Sequence, residues 1–122
     1  MIISEMYPGI ATANVEERAN LYTEKFGFTI KHRLLLEDCK IYIMENQYTE
    51  IDLVEGSHFK PGSSVFRIAV RDFDDSIKDA VNDGLVQIGD VIDGEKIKIA
   101  TFTNADGTIY IISHHKKINI YV

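Results

Sequence analysis

An internal near-repeat constrains the fold more than any other feature of this sequence. Residues 14–26 (NVEERANLYTEKF) and 72–83 (DFDDSIKDAVND) both space apolar side chains three to four positions apart, and a glycine follows each segment. This spacing predicts two amphipathic helices with N-caps at Asn14 and Asp72. The predicted buried stripes are Val15, Ala19, Tyr22 and Phe26, and then Phe73, Ile77, Ala80 and Val81. The two caps lie 58 residues apart (72 − 14) in a chain of 122 residues.

Strand-like segments surround both predicted helices. One segment precedes each helix, at residues 6–13 and 63–70, and three follow it. Those that follow are residues 28–36, 40–45 and 49–54 in the first half, and 86–92, 96–103 and 108–113 in the second. Two helices against eight strands predict an α+β fold. We therefore expect a single domain, 1–122, of two βαβββ modules, at about residues 1–58 and 59–122.

The composition fits one globular domain, with 45% hydrophobic and 26% charged residues. Thirteen Lys and Arg against 19 Asp and Glu give a net charge of −6, and the basic residues are scattered. Nucleic acid is therefore not an expected partner. No apolar run is long enough for a membrane span or a secretion signal, so we expect a soluble, cytoplasmic protein without a membrane partner. The single cysteine, Cys39, can form neither an internal disulfide nor a thiolate metal site.

The order of these elements, together with three motifs, resembles the vicinal oxygen chelate superfamily. The motifs are residues 14–28 (NVEERANLYTEKFGF), 69–74 (AVRDFD) and 102–108 (FTNADGT). This superfamily includes glyoxalase I, extradiol dioxygenases, and bleomycin and fosfomycin resistance proteins. The resemblance spans almost the whole chain. It implies curved mixed sheets around a cup that holds a small molecule. It also implies a homodimer, in which each cup is formed either within one chain or by residues of both chains.

The resemblance also assigns four metal-ligand positions to this chain. They are Tyr7, Asp52, Val65 and Ile111. Only Asp52 suits a hard divalent cation, and the side chains of Val65 and Ile111 cannot coordinate one. Because a catalytic metal normally has three protein ligands, we expect no metal and no cofactor here.

Side-chain alternation along the predicted strands gives a second view of the cup. On residues 63–70 the apolar face packs on a helix, which turns Arg67 toward the cup. A guanidinium in that position needs a carboxylate partner. The partner is either Asp52 or Glu50 within the protein, or an anionic group of a ligand. Tyr7 either offers a ligand its hydroxyl or its ring, or packs in the core.

The last predicted strand and the histidines complete the set of candidates. Ser113 and His115 share the cup-side face of that strand, if it extends so far; otherwise His115 lies in a frayed terminus. His58 lies in a loop that can close over a cup, and His32 is expected at the surface. The predicted ligand pocket comprises Tyr7, Glu50, Asp52, Arg67, Ser113 and His115.

Three functions remain open at this stage. The missing ligands favour a glyoxalase/bleomycin resistance-like protein that binds an unidentified small molecule without a metal. The alternative is a lyase, isomerase or dioxygenase whose divalent metal is bound by a set drawn from Asp52, Glu50, Tyr7, His115 and His58. The third is an acidic partner-binding protein without a small ligand. No nucleophile motif or glycine-rich phosphate loop is present, so catalytic residues stay unassigned.

Overall fold

The computed structural model describes residues 1–116, which form eight strands and two helices. In chain order the elements are β1 (Ile3–Ala11), α1 (Val15–Phe26), β2 (Thr29–Leu36), β3 (Cys39–Glu45), β4 (Glu50–Glu55), β5 (Ser64–Val70), α2 (Phe73–Asn82), β6 (Val86–Asp93), β7 (Ile97–Thr103) and β8 (Ile109–His115). The predicted α+β class and the twofold βαβββ order are confirmed. Within this part of the chain, neither helix is long and apolar enough to cross a membrane.

All eight strands form one mixed sheet, in the order β2-β3-β4-β1-β5-β8-β7-β6. The first strands of the two modules, β1 and β5, pair antiparallel at its centre, with Pro8 opposite Phe66. On either side, β1 pairs in parallel with β4, and β5 pairs in parallel with β8. Pro8 and Phe66 are 58 residues apart (66 − 8), the same offset as the two N-caps. The halves of the sheet are therefore related by an approximate twofold axis through this pair.

Each helix covers its own half of the sheet on the convex side. Val15 and Ala19 of α1 pack on β3 and β4, and Phe73 and Ala80 of α2 pack on β5, β7 and β8. A third cluster lies on the concave side and draws on both modules. It includes Ile41, Ile43 and Val54 of the first module, and Val65, Ile97, Ile99 and Ile111 of the second. The sheet therefore curls until side chains from its two halves meet.

The two helices begin differently. Asn14 caps α1 as predicted, because its side chain accepts the N–H of Glu17 at 3.0 Å. Asp72 occupies the N-cap position of α2 as predicted, but its side chain makes no cap bond. Its carboxylate instead accepts the N–H of Ile2 at 2.7 Å and the hydroxyl of Ser76 at 2.9 Å. The N-terminal segment therefore takes the oxygen that the cap would have used.

The predicted buried stripes fail at their last residues. Phe26 is 60% exposed and Val81 is 52% exposed. Ala80 already occupies the buried face, and the next residue of a helix points about 100° away from it. Phe26, the last residue of α1, packs edge-to-face on Tyr22 with ring centroids 5.6 Å apart. Both helices are thus anchored mainly by the earlier part of each stripe.

Candidate functional site

Polar residues gather on the concave face at the junction of the two modules. Tyr7 of β1 lies opposite Arg67 of β5, and Asp52 of β4 lies beside Gly9 of β1. Arg67 in turn lies beside Ile111 of β8. The predicted alternation therefore places the side chains of Tyr7, Asp52 and Arg67 on one face. Three strands from the two modules, β4, β1 and β5, bring them together.

A buried ion pair joins Asp52 to Arg67. Nε of Arg67 donates to Oδ2 of Asp52 at 2.5 Å, and Nη2 lies 3.4 Å from Oδ1. The side chain of Asp52 is 0% exposed and that of Arg67 is 2% exposed. Of the two partners expected within the protein, Asp52 is thus the one in contact, while Glu50 pairs with Lys31 at 3.4 Å. Burial raises the pKa of Asp52, and the guanidinium opposes that rise.

Gly9 makes room for this ion pair. β1 lies between β4 and β5, so the contact from Asp52 to Arg67 passes over β1. A Cβ at position 9 would lie 2.3 Å from the backbone oxygen of Asp52 and 3.0 Å from its Cβ. Glycine is therefore required for β4 to approach β1 this closely.

Tyr7 and His115 enclose the guanidinium. The Tyr7 ring centroid lies 4.5 Å from Cζ of Arg67, which is a cation–π contact. The Tyr7 hydroxyl donates to Glu5, and burial together with this bond raises the pKa of Tyr7 to about 12. Nε2 of His115 lies 3.4 Å from Nη1 of Arg67. Because a guanidinium only donates, this contact requires Nε2 to be unprotonated, and burial and the charge of Arg67 lower the pKa of His115.

Ser113 supplies a buried hydroxyl without a partner. β8 extends to His115, where it still pairs with Ile97 of β7, so Ser113 and His115 share the concave face as predicted. Ser113 is fully buried, and its Oγ makes no hydrogen bond within residues 1–116. Buried hydroxyls usually have a partner. Ser113 therefore leaves unused hydrogen-bonding capacity on β8, two residues before His115.

The residues at the four implied ligand positions do not fit a divalent metal. The carboxylate of Asp52 is bonded to a cation, the Tyr7 hydroxyl is bonded to Glu5, and Val65 and Ile111 lie in the apolar concave cluster. Elsewhere in residues 1–116, no three His, Cys, Asp or Glu side chains lie close enough together to hold a metal ion.

A separate cleft of about 540 Å³ lies where the edges of the two modules meet. It is lined by residues 35–39 around the β2–β3 turn, by His58 and Phe59, by residues 88–95 of β6 and its turn, and by Thr101. None of the six predicted pocket residues lines it. The sequence placed His58 in a loop over the cup, and the residues of these two turns were not among the predicted pocket residues. The acidic residues shared by both turns are the signal that could have located this cleft.

Comparison with solved structures supports the fold. Methylmalonyl-CoA epimerase from Mycobacterium tuberculosis matches with a TM-score of 0.69 at 14% identity, over 95% of this chain and 91% of that one. A hypothetical protein from Bacillus halodurans matches with a TM-score of 0.64 at 17% identity, over 94% and 96%. A glyoxalase/bleomycin resistance protein/dioxygenase superfamily member from Vibrio splendidus matches with a TM-score of 0.57 at 14% identity, over 90% and 97%.

No protein-family model and no curated protein matches the sequence. The structural matches therefore establish the fold, and it is the fold that the sequence motifs indicate. Activity has to be argued from the chain's own residues.

Proposed function

We propose that this protein is a metal-independent small-molecule-binding protein of the glyoxalase/bleomycin resistance type, with its ligand site at the concave cluster around Arg67. The observation that carries the proposal is the buried ion pair between Arg67 and Asp52. A divalent cation at this point would need the carboxylate of Asp52, and it would be placed beside a guanidinium of the same sign. Like charges in a buried site repel strongly, so the permanent cation of the chain takes the place of a metal.

The cluster offers a ligand mainly hydrogen-bond donors. Asp52 occupies one edge of the guanidinium, while Nη1 faces His115 at 3.4 Å. Ser113 adds its unpaired hydroxyl. Ligand oxygens that accept hydrogen bonds, such as carbonyl groups, suit these donors. Since Arg67 is almost fully buried, a ligand reaches it only when Tyr7 or His115 moves aside.

A thermal melt of chelator-treated protein tests the absence of a metal. We expect nickel, zinc, manganese, cobalt and ferrous ions to leave Tm unchanged in the wild type and in His114→Ala, a variant that removes a neighbouring histidine outside the alternative ligand set. A ligand at 100 times its Kd would stabilise by about 2.7 kcal/mol, which is a shift of several degrees. A shift that survives in this variant and disappears with Asp52→Ala would overturn the proposal in favour of a metal-dependent lyase, isomerase or dioxygenase.

A compound screen tests the site itself. Small carbonyl compounds are screened by the same melt against the wild type and Ser113→Ala, with Ser64→Ala at the exposed start of β5 as the matched control. Compounds that stabilise the wild type and the control, but not Ser113→Ala, would support the concave site. Equal stabilisation of all three proteins would place the ligand elsewhere.

The predicted homodimer and cytoplasmic location belong to the same proposal. Met6, Pro8 and Phe66 lie on the convex side of β1 and β5, between the areas covered by the two helices, and all three are exposed. A second copy of the chain would bury these apolar side chains. Analytical ultracentrifugation of the wild type and Phe66→Glu tests this, and a wild-type monomer at micromolar concentration would exclude the dimer.

A further inference from the structure

The guanidinium of Arg67 is firmly bonded on one edge only. Asp52 accepts hydrogen bonds from Nε and Nη2, whereas Nη1 has a single contact within residues 1–116, the ring Nε2 of His115 at 3.4 Å. That contact is long, and a neutral imidazole nitrogen is a weaker acceptor for a guanidinium than a carboxylate oxygen. Nη1 would therefore gain a stronger hydrogen bond if a ligand carboxylate replaced the ring of His115.

Ser113 provides an independent sign of a ligand group at the same place. Its buried Oγ has no hydrogen-bond partner in the part of the chain that the structure describes. Ser113 lies beside Ala69, which follows Arg67 by two residues on β5, and it precedes His115 by two residues on β8. Because Ala69 is small, the concave surface between Arg67 and His115 consists of a methyl group and this hydroxyl. The surface thus offers a second donor to an acceptor that reaches Nη1.

The charges of the cluster determine what an anion needs in order to bind there. Arg67 and Asp52 already neutralise each other. Glu5 of β1 lies opposite Ala69, so a second carboxylate borders the same surface. A ligand carboxylate would add a negative charge in a largely buried place, and an uncompensated charge there is costly. The side chain that can compensate it is His115, by taking up a proton.

His115 is placed to change its protonation state when a ligand binds. Burial and the charge of Arg67 lower the pKa of His115, and the charge of Glu5 raises it. A ligand carboxylate beside the ring would act in the same direction as Glu5. His115 is exposed at the end of β8, so its ring has room to turn away from Nη1. The groups that face His115 are Arg67 of β5, Glu5 of β1, His32 of β2, His114 of β8 and, on β7, the uncharged Ile97.

We infer that the ligand of the cluster at Arg67 carries a carboxylate group and binds together with one proton, which His115 holds. In the complex, the carboxylate lies between the guanidinium and the imidazolium, and Ser113 is a third donor to it. The proton comes from the solvent and returns to it on dissociation, so no other reactant is needed. The inference rests on the proposed function, because it uses the same site and adds the charge of the ligand.

Matched pairs of carboxylates and amides test the inference. The probes are acetate and acetamide, hexanoate and hexanamide, and benzoate and benzamide, titrated into ¹⁵N-labelled protein and followed by NMR. Free carboxyl groups titrate near pH 4, so each probe keeps one charge state from about pH 6.5 to 7.5. Over that range, the Kd of a bound carboxylate should rise about tenfold, because one proton is taken up per ligand, while the Kd of its amide stays constant. A carboxylate Kd that does not change with pH, or no saturable binding of any of the three carboxylates, would overturn the inference.

Three histidine variants locate the proton. His115→Gln keeps a side chain that forms hydrogen bonds but does not titrate, and its Kd for the carboxylate should not depend on pH. His32→Gln and His114→Gln are the matched controls and should keep the dependence of about tenfold per pH unit. A dependence that survives in His115→Gln, or that disappears in one of the controls, would assign the proton to another group and overturn the inference.

The failure of this inference is distinguishable from the failure of the proposed function. If carboxylates and their amides bind with equal affinity at both pH values, and both lose affinity in Ser113→Ala, the linked proton is excluded while the metal-independent site at Arg67 stands. A metal-induced rise in Tm that requires Asp52 would instead overturn the proposed function, whatever the pH dependence of carboxylate binding.

Discussion

The two modules share a backbone plan but carry different chemistry at equivalent positions. The twofold axis through Pro8 and Phe66 relates Gly9 to Arg67, and the parallel pairings relate Asp52, beside Gly9, to Ile111, beside Arg67. One module thus supplies the carboxylate and the other the guanidinium. Where one module has the large cationic side chain, its counterpart has no side chain at all.

This difference shows how a duplicated fold can give up its symmetry at one point and keep it elsewhere. A symmetric pair of carboxylates at the junction would repel unless a cation lay between them. Here the position equivalent to Asp52 holds Ile111, and Arg67 lies beside it on β5. The single carboxylate of Asp52 and the guanidinium of Arg67 therefore neutralise each other without a further cation. The modules are therefore complementary rather than interchangeable, and substitutions at related positions are expected to have unequal effects.

The largest effect is expected from breaking the asymmetric pair. Asp52→Ala leaves the guanidinium of Arg67 buried without its partner, which costs about 3–5 kcal/mol of unfolding free energy. Urea denaturation followed by circular dichroism measures the loss. The double variant Asp52→Leu/Arg67→Met removes both charges and should recover most of it. A single variant as stable as the wild type would contradict a buried pair.

Gly9→Ala tests why the counterpart of Arg67 has no side chain. The new Cβ would meet the backbone of Asp52, so β4 and β1 must separate, at a cost of about 1–3 kcal/mol from overpacking. Ser64→Ala, at the exposed start of β5, is the control, with a change within about 0.5 kcal/mol. If both variants denature at the same urea concentration, the close approach is not what Gly9 provides.

Ser113→Ala sharpens a further difference between the modules. The counterpart of Ser113 is Val54, because each pairs with the residue two positions after Arg67 or Gly9. Removing a buried hydroxyl that has no partner should stabilise the protein by about 1 kcal/mol. Thermal and urea unfolding should agree on the sign, whereas a destabilised variant would show that Ser113 has a partner in the folded protein, such as a bound water.

The smallest effect concerns His115, which has no titratable counterpart among the paired residues of β4. Its pKa is lowered in the folded protein, so at pH values below about 6.5 the unfolded chain binds a proton more readily. The stability that depends on neutral His115 is fully present above that pH and is lost as the pH falls. In His115→Gln, the urea midpoint should drop less between pH 7.5 and 5.5 than in the wild type. Equal drops would show that the titration of His115 does not contribute to the pH dependence of stability.

Much of this fold could be predicted from local sequence signals. The repeated helices, the alternation on β5 and the N-cap at Asn14 depend on neighbouring residues, so periodicity was enough to find them. The capping role of Asp72 could not be judged in this way, because its carboxylate is taken by Ile2, 70 residues away. The buried guanidinium of Arg67 requires a partner, and this could be predicted from its position in the strand. Whether Asp52 or Glu50 is that partner depends on the registers of β4 and β5 against β1, which the sequence does not give.

The cleft was beyond the reach of the sequence for a similar reason. Its two sides come from turns that are far apart in the chain, and they meet only because the sheet curls. The alternation of apolar and polar residues along a strand shows which side chains share a face of the sheet. It does not show which turns of the two modules will come together when the sheet curls. The six predicted pocket residues therefore fall on one face as expected, whereas the cleft lies at another place.

The central position of β1 has a consequence for how the chain is made. β1 is synthesised before both of its neighbours in the sheet, β4 and β5. The meander of β2, β3 and β4 has short connections and can form early, while β1 has to wait for β5 before the centre of the sheet is complete. During translation, β1 can therefore pair with β4 while its other edge stays open, and the bond between Asp52 and Arg67 closes over β1 only after β5 has been made.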